Sequence, residues 1–110
     1  MSYALFYDVP ADKEMYRHVK AAIGDEQPKR LVVHLVVQTD GGLRHIGVWE
    51  SQADWQRFHD ERVEPAVHAV LTAAGFTQMP PDPPVQDLDL VDVWIGSPAS
   101  TIGSNVPSRD

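Results

Sequence analysis

Residues 40–65, DGGLRHIGVWESQADWQRFHDERVEP, run from a turn through a strand into a helix start without interruption, and that order decides the fold. Asp40-Gly41 is a dipeptide that tolerates the positive φ of a tight turn, and it lies between two strand-like runs, LVVHLVV at 31–37 and LRHIGVWE at 43–50. The three pieces read as a β-hairpin. Ser51 then stands where a helix needs an N-cap, with Asp54 three residues on as a carboxylate variant of the capping box. A second helix follows through Trp55, Phe58, Val63, Ala66, Val70 and Ala74 as far as Gly75, and Pro65 is expected to bend or restart it.

Working outward toward the N-terminus, YALFYD at 3–8 is short, aromatic and strand-like, and Pro10 is placed near the first position of the helix that follows. In that helix Met15, Val19, Ala22 and Ile23 recur at helical spacing, with Lys13, Arg17 and Lys20 on the other side and Gly24 at its end. Toward the C-terminus, TQMPPDPP at 77–84 is a stiff, polyproline-like connection. Residues 85–95, VQDLDLVDVWI, alternate as a fourth strand would, and 96–110 read as a tail that is either mobile or held by a partner chain. The order β-α-β-β-α-β is the ferredoxin-like α+β arrangement, a four-stranded antiparallel sheet with two helices on one face, here spanning residues 1–95. Within 31–37 only His34 is polar, so both faces of that strand call for cover while the helices cover one. A homodimer in which two sheets face each other is the expected solution.

Composition narrows the partners. The formal charge of −7 comes from 16 acidic against 9 basic residues, and the basic ones are scattered, which argues against nucleic acid as a partner. The absence of cysteine removes disulfides, thiolate metal sites and a cysteine nucleophile, and suits a reducing compartment. MSYALFYDVP lacks a basic region and a long apolar core, and no apolar run approaches the roughly 18 residues of a membrane span, so a cytoplasmic protein with no membrane partner is expected.

The segment GGLRHIGVWESQADWQRFHDERVEP resembles the strand-to-helix region of the dimeric α/β-barrel superfamily, in particular the small proteins similar to antibiotic biosynthesis monooxygenases. The specific part is the V-W-E-S strand end, the aromatic-rich helix and the run Glu61, Arg62, Pro65. The resemblance implies the ferredoxin-like order, a barrel formed across a two-fold axis, and a small ligand held between sheet and helices. Superfamily members include cofactor-independent quinone-forming oxygenases, haem degraders and enzymes of aromatic catabolism. The haem-degrading branch relies on an Asn, Trp and His set, whereas the only Asn here is Asn105 in the tail.

Site candidates follow from position. His59 falls in the middle of the apolar arc of Trp55, Phe58, Arg62, Val63, Ala66 and Val70, and so is expected to point at the sheet, either as a buried histidine with satisfied hydrogen bonds or as a polar group in a pocket wall. His34 breaks an apolar strand and needs a partner or a water. Its face depends on the hairpin: a two-residue turn puts it with His45, Gly47 and Trp49, a three-residue turn with Ile46, Val48 and Glu50. Trp49, Trp55, Trp94, Phe58, Tyr3 and Tyr7 could make an aromatic cavity or simply a core, and Arg62 could hold an anionic substrate or pair with an acid. His18 and His68 read as solvated. No His and carboxylate spacing matches a zinc site, and neither a nucleophile elbow nor a phosphate loop is present, so no metal or other cofactor is expected. The functional expectation is a cofactor-free monooxygenase acting on an aromatic molecule, for which His59 or His34 would take a phenolic proton. The alternative is a binding or structural dimer without turnover. A cavity of a few hundred Å³ with either histidine in its wall would favour the enzyme.

Overall fold

The computed structural model describes residues 2–96. Four strands form one antiparallel sheet: β1 (Tyr3–Val9), β2 (Leu31–Thr39), β3 (Gly42–Trp49) and β4 (Gln86–Leu88), in the order β2-β3-β1-β4. Helix α1 (Lys13–Ile23) joins β1 to β2, and α2 (Gln52–Phe58) and α3 (Glu64–Ala73), separated by a π-helical turn (His59–Val63), join β3 to β4. This is the ferredoxin-like α+β arrangement, and none of its helices is long and apolar enough to cross a membrane among the described residues.

Thr39 pairs with Gly42, so the hairpin turn is the two-residue Asp40-Gly41. The positive φ expected of that dipeptide falls instead on Gly42, at 148°, where a Cβ would run into the Val9 carbonyl oxygen. Glycine is therefore required one residue later than the dipeptide rule suggests. Helix α1 also starts later than Pro10 implies. Ala11 N–H donates to the Val9 carbonyl at 2.8 Å, and Asp12 Oδ1 accepts from the Met15 N–H at 2.8 Å, so the N-cap is Asp12 and Pro10 lies outside the helix. At the second helix the cap is as expected: Ser51 Oγ accepts from the Asp54 N–H at 3.1 Å and donates to the Asp54 carboxylate at 2.7 Å.

Pro65 restarts the helix. It occupies the first turn of α3, a position where its missing N–H costs little. Just before it the backbone widens, and Glu64 N–H reaches back five residues to the His59 carbonyl. The fourth strand is far shorter than 85–95, because only Gln86, Asp87 and Leu88 find partners on β1. Beyond Leu88 the alternating residues have no ladder to join, and Val91 and Trp94 are almost fully exposed.

The register divides the sheet into two unlike faces. Leu5, Tyr7, Leu43, His45, Gly47, Trp49, His34 and Val36 share the side on which α1 and α2 lie. Ala4, Phe6, Arg44, Ile46, Val48, Val33, Leu35 and Val37 share the other. On that second face Leu35 is 51% and Val37 40% exposed, so within one chain β2 is not covered on both sides as its composition demands. Few apolar side chains are fully buried; they centre on Ala4, Leu5, Leu43, Val48, Trp49 and Ala66.

Candidate functional site

The two-residue turn settles the face of His34: it lies with His45, Gly47 and Trp49 on the helix side. Directly across from it is Gly47, which has no side chain, and a Cβ there would crowd the Trp49 indole nitrogen at 3.1 Å. The space this leaves is occupied by rings. His45 lies flat on Tyr7, its cross-strand neighbour, with centroids 4.9 Å apart and planes 4° from parallel. His34 sits 5.5 Å from His45, and Tyr16 of α1 meets His45 edge-on at 5.7 Å. The result is a cluster of two imidazoles and two phenols between the sheet and the first helix.

Burial sets the charge of this cluster. His45 is pushed down to about 4, first by desolvation and then by the neighbouring His34. His34 is more than a third exposed at the edge strand, yet the atoms packed around its ring, and then the positive Lys20, still hold its pKa below the usual histidine value. Burial raises Tyr16, and burial together with Tyr16 and Asp82 raises Tyr7 to about 12. At neutral pH all four groups are consequently uncharged. In that setting His45 Nδ1 is buried without a hydrogen-bond partner, whichever tautomer the ring adopts.

A half-open cleft of about 270 Å³ lies beside this cluster, walled by Lys13, Tyr16, Arg17, Val36, Gln38 and Leu43. Tyr16 is common to both, and Val36 of the wall is the cross-strand partner of His45. The cluster thus lies one side chain behind the cleft, and neither His34 nor His59 forms part of the wall.

The remaining candidates lie elsewhere. His59 opens the π-helical turn, mostly buried, with its ring 5.4 Å from Trp55, Nδ1 3.2 Å from Asp60 Oδ1 and Nε2 3.8 Å from Asp82 Oδ2. Trp49 packs against Phe58 at 5.2 Å, and Trp55 against Tyr3 at 6.3 Å. Trp94 is 91% exposed and stands apart from these rings. Arg62 lies over Phe58 and donates to the Ile23 and Glu26 carbonyls at 3.2 and 3.0 Å, tying the π-helical turn to the end of α1. His18 and His68 are exposed. Among the described residues, no three His, Asp or Glu side chains converge to hold a metal ion.

His45 and Tyr16 were not among the sequence candidates. Period-two alternation does link His45 to His34 once the turn length is known. Tyr16 carried no such signal, because it borders the charged side of an amphipathic helix.

No family model matches the chain, and no curated protein matches it by sequence. Among solved structures it is similar to Rv0793 from Mycobacterium tuberculosis, at 17% identity with a TM-score of 0.47, over 84% of this chain and 94% of that one.

Proposed function

We propose that this chain forms a homodimer of the dimeric α/β-barrel kind and acts as a cofactor-independent monooxygenase on a phenolic aromatic molecule that enters through the cleft beside Tyr16. The observation that carries the reading is the unpartnered, buried His45 Nδ1. A buried polar atom without a partner costs roughly 1 to 3 kcal/mol, and a ligand hydroxyl reaching past Tyr16 would relieve that cost. A neutral imidazole offers a hydrogen-bond acceptor to a phenol, and once the proton moves, the new imidazolium and phenolate stabilise each other in a water-poor site. The phenolate is the form that reacts with dioxygen. One oxygen atom enters the ring to give a quinone, and the other leaves as water with two substrate hydrogens. Tyr7, held protonated, stacks beneath the imidazole and fixes its plane.

The homodimer reading rests on the second sheet face. Leu35 and Val37 are exposed there beside Phe6, Ile46 and Val33, an apolar surface bordered by the Arg44–Asp8 ion pair, which a second copy of the same sheet would cover.

A second reading is a small-molecule-binding dimer without turnover, and it is favoured by the cleft wall, which contains no histidine. One pair of measurements separates the two: thermal-shift screening with phenols and quinones, followed by oxygen uptake with any compound that stabilises the fold. Stabilisation with oxygen uptake that His45→Gln abolishes is the expected result. Stabilisation without uptake assigns the protein to binding, and no stabilisation by any member of the panel overturns both.

A further inference from the structure

We infer that the cleft selects ligands bearing a carboxylate, with Lys13 and Arg17 as its anion-binding pair. This rests on the reading above that the cleft is the ligand entrance. Lys13 and Arg17 occupy consecutive turns of α1 and both form its wall. The chain carries a formal charge of −7, so a free cation is easily neutralised in this molecule. Arg30 is engaged by Glu50 and Asp54, Arg44 by Asp8, Arg57 by Asp54, and Arg62 by two backbone carbonyls. Among the described residues Arg17 is the one arginine without such a partner, and Lys13, like Lys20 and Lys29, has no ion pair. Two unneutralised cations, one turn apart on α1, thus sit together at a cavity with no carboxylate in its wall.

The other lining residues define the rest of the ligand. Val36 and Leu43 give an apolar wall, and Tyr16 adds a ring together with a hydroxyl that burial keeps protonated and able to donate. The amide nitrogen of Gln38 already donates to the Thr39 and Gly42 carbonyls, at 3.1 and 3.0 Å, and so contributes no further donor. A free inorganic anion would leave the apolar wall uncovered, and a neutral aromatic would leave both cations unanswered. An aromatic carboxylate satisfies both, with its carboxylate at the solvent edge on Lys13 and Arg17 and its ring against Tyr16, Val36 and Leu43. In this pose the far edge of the ring faces the side on which His45 lies.

The test is calorimetric titration of the full chain with 6-hydroxy-2-naphthoate, whose hydroxyl lies on the ring edge far from the carboxylate, and with 2-naphthol, repeated on the Lys13→Gln/Arg17→Gln double variant, whose fold is checked by circular dichroism. The naphthoate is expected to bind roughly tenfold tighter than the naphthol, the scale of two solvent-exposed ion pairs. That advantage shrinks in about 0.5 M NaCl, where the screening length falls to about 4 Å, close to an ion-pair distance. In the double variant it disappears, while the affinity for 2-naphthol is unchanged. Equal affinities in the parent, a preference that survives in the double variant, or no naphthoate binding overturns the inference. If 2-naphthol alone binds, the anion pair is refuted and the phenol site stands. If the naphthoate binds as expected but consumes no oxygen, the anion pair stands and the monooxygenase reading fails.

Discussion

Replacing His45 with Phe should leave the fold intact and make it more stable, by an amount that grows as the pH falls. The imidazole lies flat on Tyr7, and a phenyl ring can keep that stack. What it removes is the buried Nδ1 that lacks a partner. Relief of that desolvation is worth about 1 to 3 kcal/mol, and the slightly larger ring takes back up to about 1 kcal/mol, so a gain of about 1 kcal/mol is expected near neutral pH. The acid side adds to it. With a folded pKa of about 4 against about 6.5 in the unfolded chain, protons bind the unfolded state first as the pH drops below 6.5. Parental stability is therefore fully present above 6.5 and is lost progressively down to about 4. At about 1.4 kcal/mol per pH unit the loss approaches 3 kcal/mol, and residual solvent access at a partly exposed ring reduces it to about 2 kcal/mol. Carboxylates titrating in the same range are common to both proteins and cancel in the difference. Urea unfolding followed by tryptophan fluorescence at pH 7.5, 5 and 4, at one protein concentration, should show the advantage of the variant rising from about 1 to about 3 kcal/mol. Parallel pH profiles, or a variant less stable than the parent at pH 7.5, would refute the assignment of His45 as a buried, neutral, unpartnered group.

Three further outcomes are expected. Gly42→Ala meets both an unfavourable φ and the Val9 carbonyl, and should lower stability by about 2 to 3 kcal/mol in the same denaturation assay, whereas Gly41→Ala, with open space around it, should cost far less. Arg62→Ala removes the two hydrogen bonds to the end of α1 and should destabilise by about 1 to 2 kcal/mol, with faster amide exchange around Ile23 and Gly24 as its local signature. Leu35→Glu places a charge in the apolar part of the exposed sheet face, so light scattering should report a monomer at micromolar concentration where the parent is a dimer; a parent already monomeric would remove the basis of the barrel.

Local chemistry explains which parts of this structure could be read from sequence. The Asp40-Gly41 hairpin, the Ser51 and Asp54 cap, and Pro65 as a restart are each set by residues within four positions of one another, and all three are found in place. The end of β4 is not local. VQDLDLVDVWI has strand periodicity throughout, but a strand lasts only as long as it is paired, and among the described residues none past Leu88 pairs with β1. Trp94, grouped with the aromatic residues on periodicity alone, therefore stands in solvent. The same distinction governs the site. His34 was visible as a polar break in an apolar run, while its company with His45 depended on the turn length, which sequence left open. Tyr16 entered the cluster only through the packing of α1 on the sheet. The expectations for residues 97–110 lie outside the described residues.

The wide turn between Phe58 and Glu64 has a bearing on chain length. In an unbroken α-helix one extra residue swings everything downstream by about 100°, which would carry Ala66 and Val70 off the side they share with the core. Here the i to i+5 pattern takes up a surplus residue within one turn, and Pro65, which has no N–H to offer the older spacing, keeps it from relaxing. The segment His59–Val63 is thus the point at which this helix can gain or lose a residue. A one-residue deletion there should convert the turn to ordinary α-helix and leave Ala66 and Val70 on the side they share with the core, with Trp49 still against Phe58.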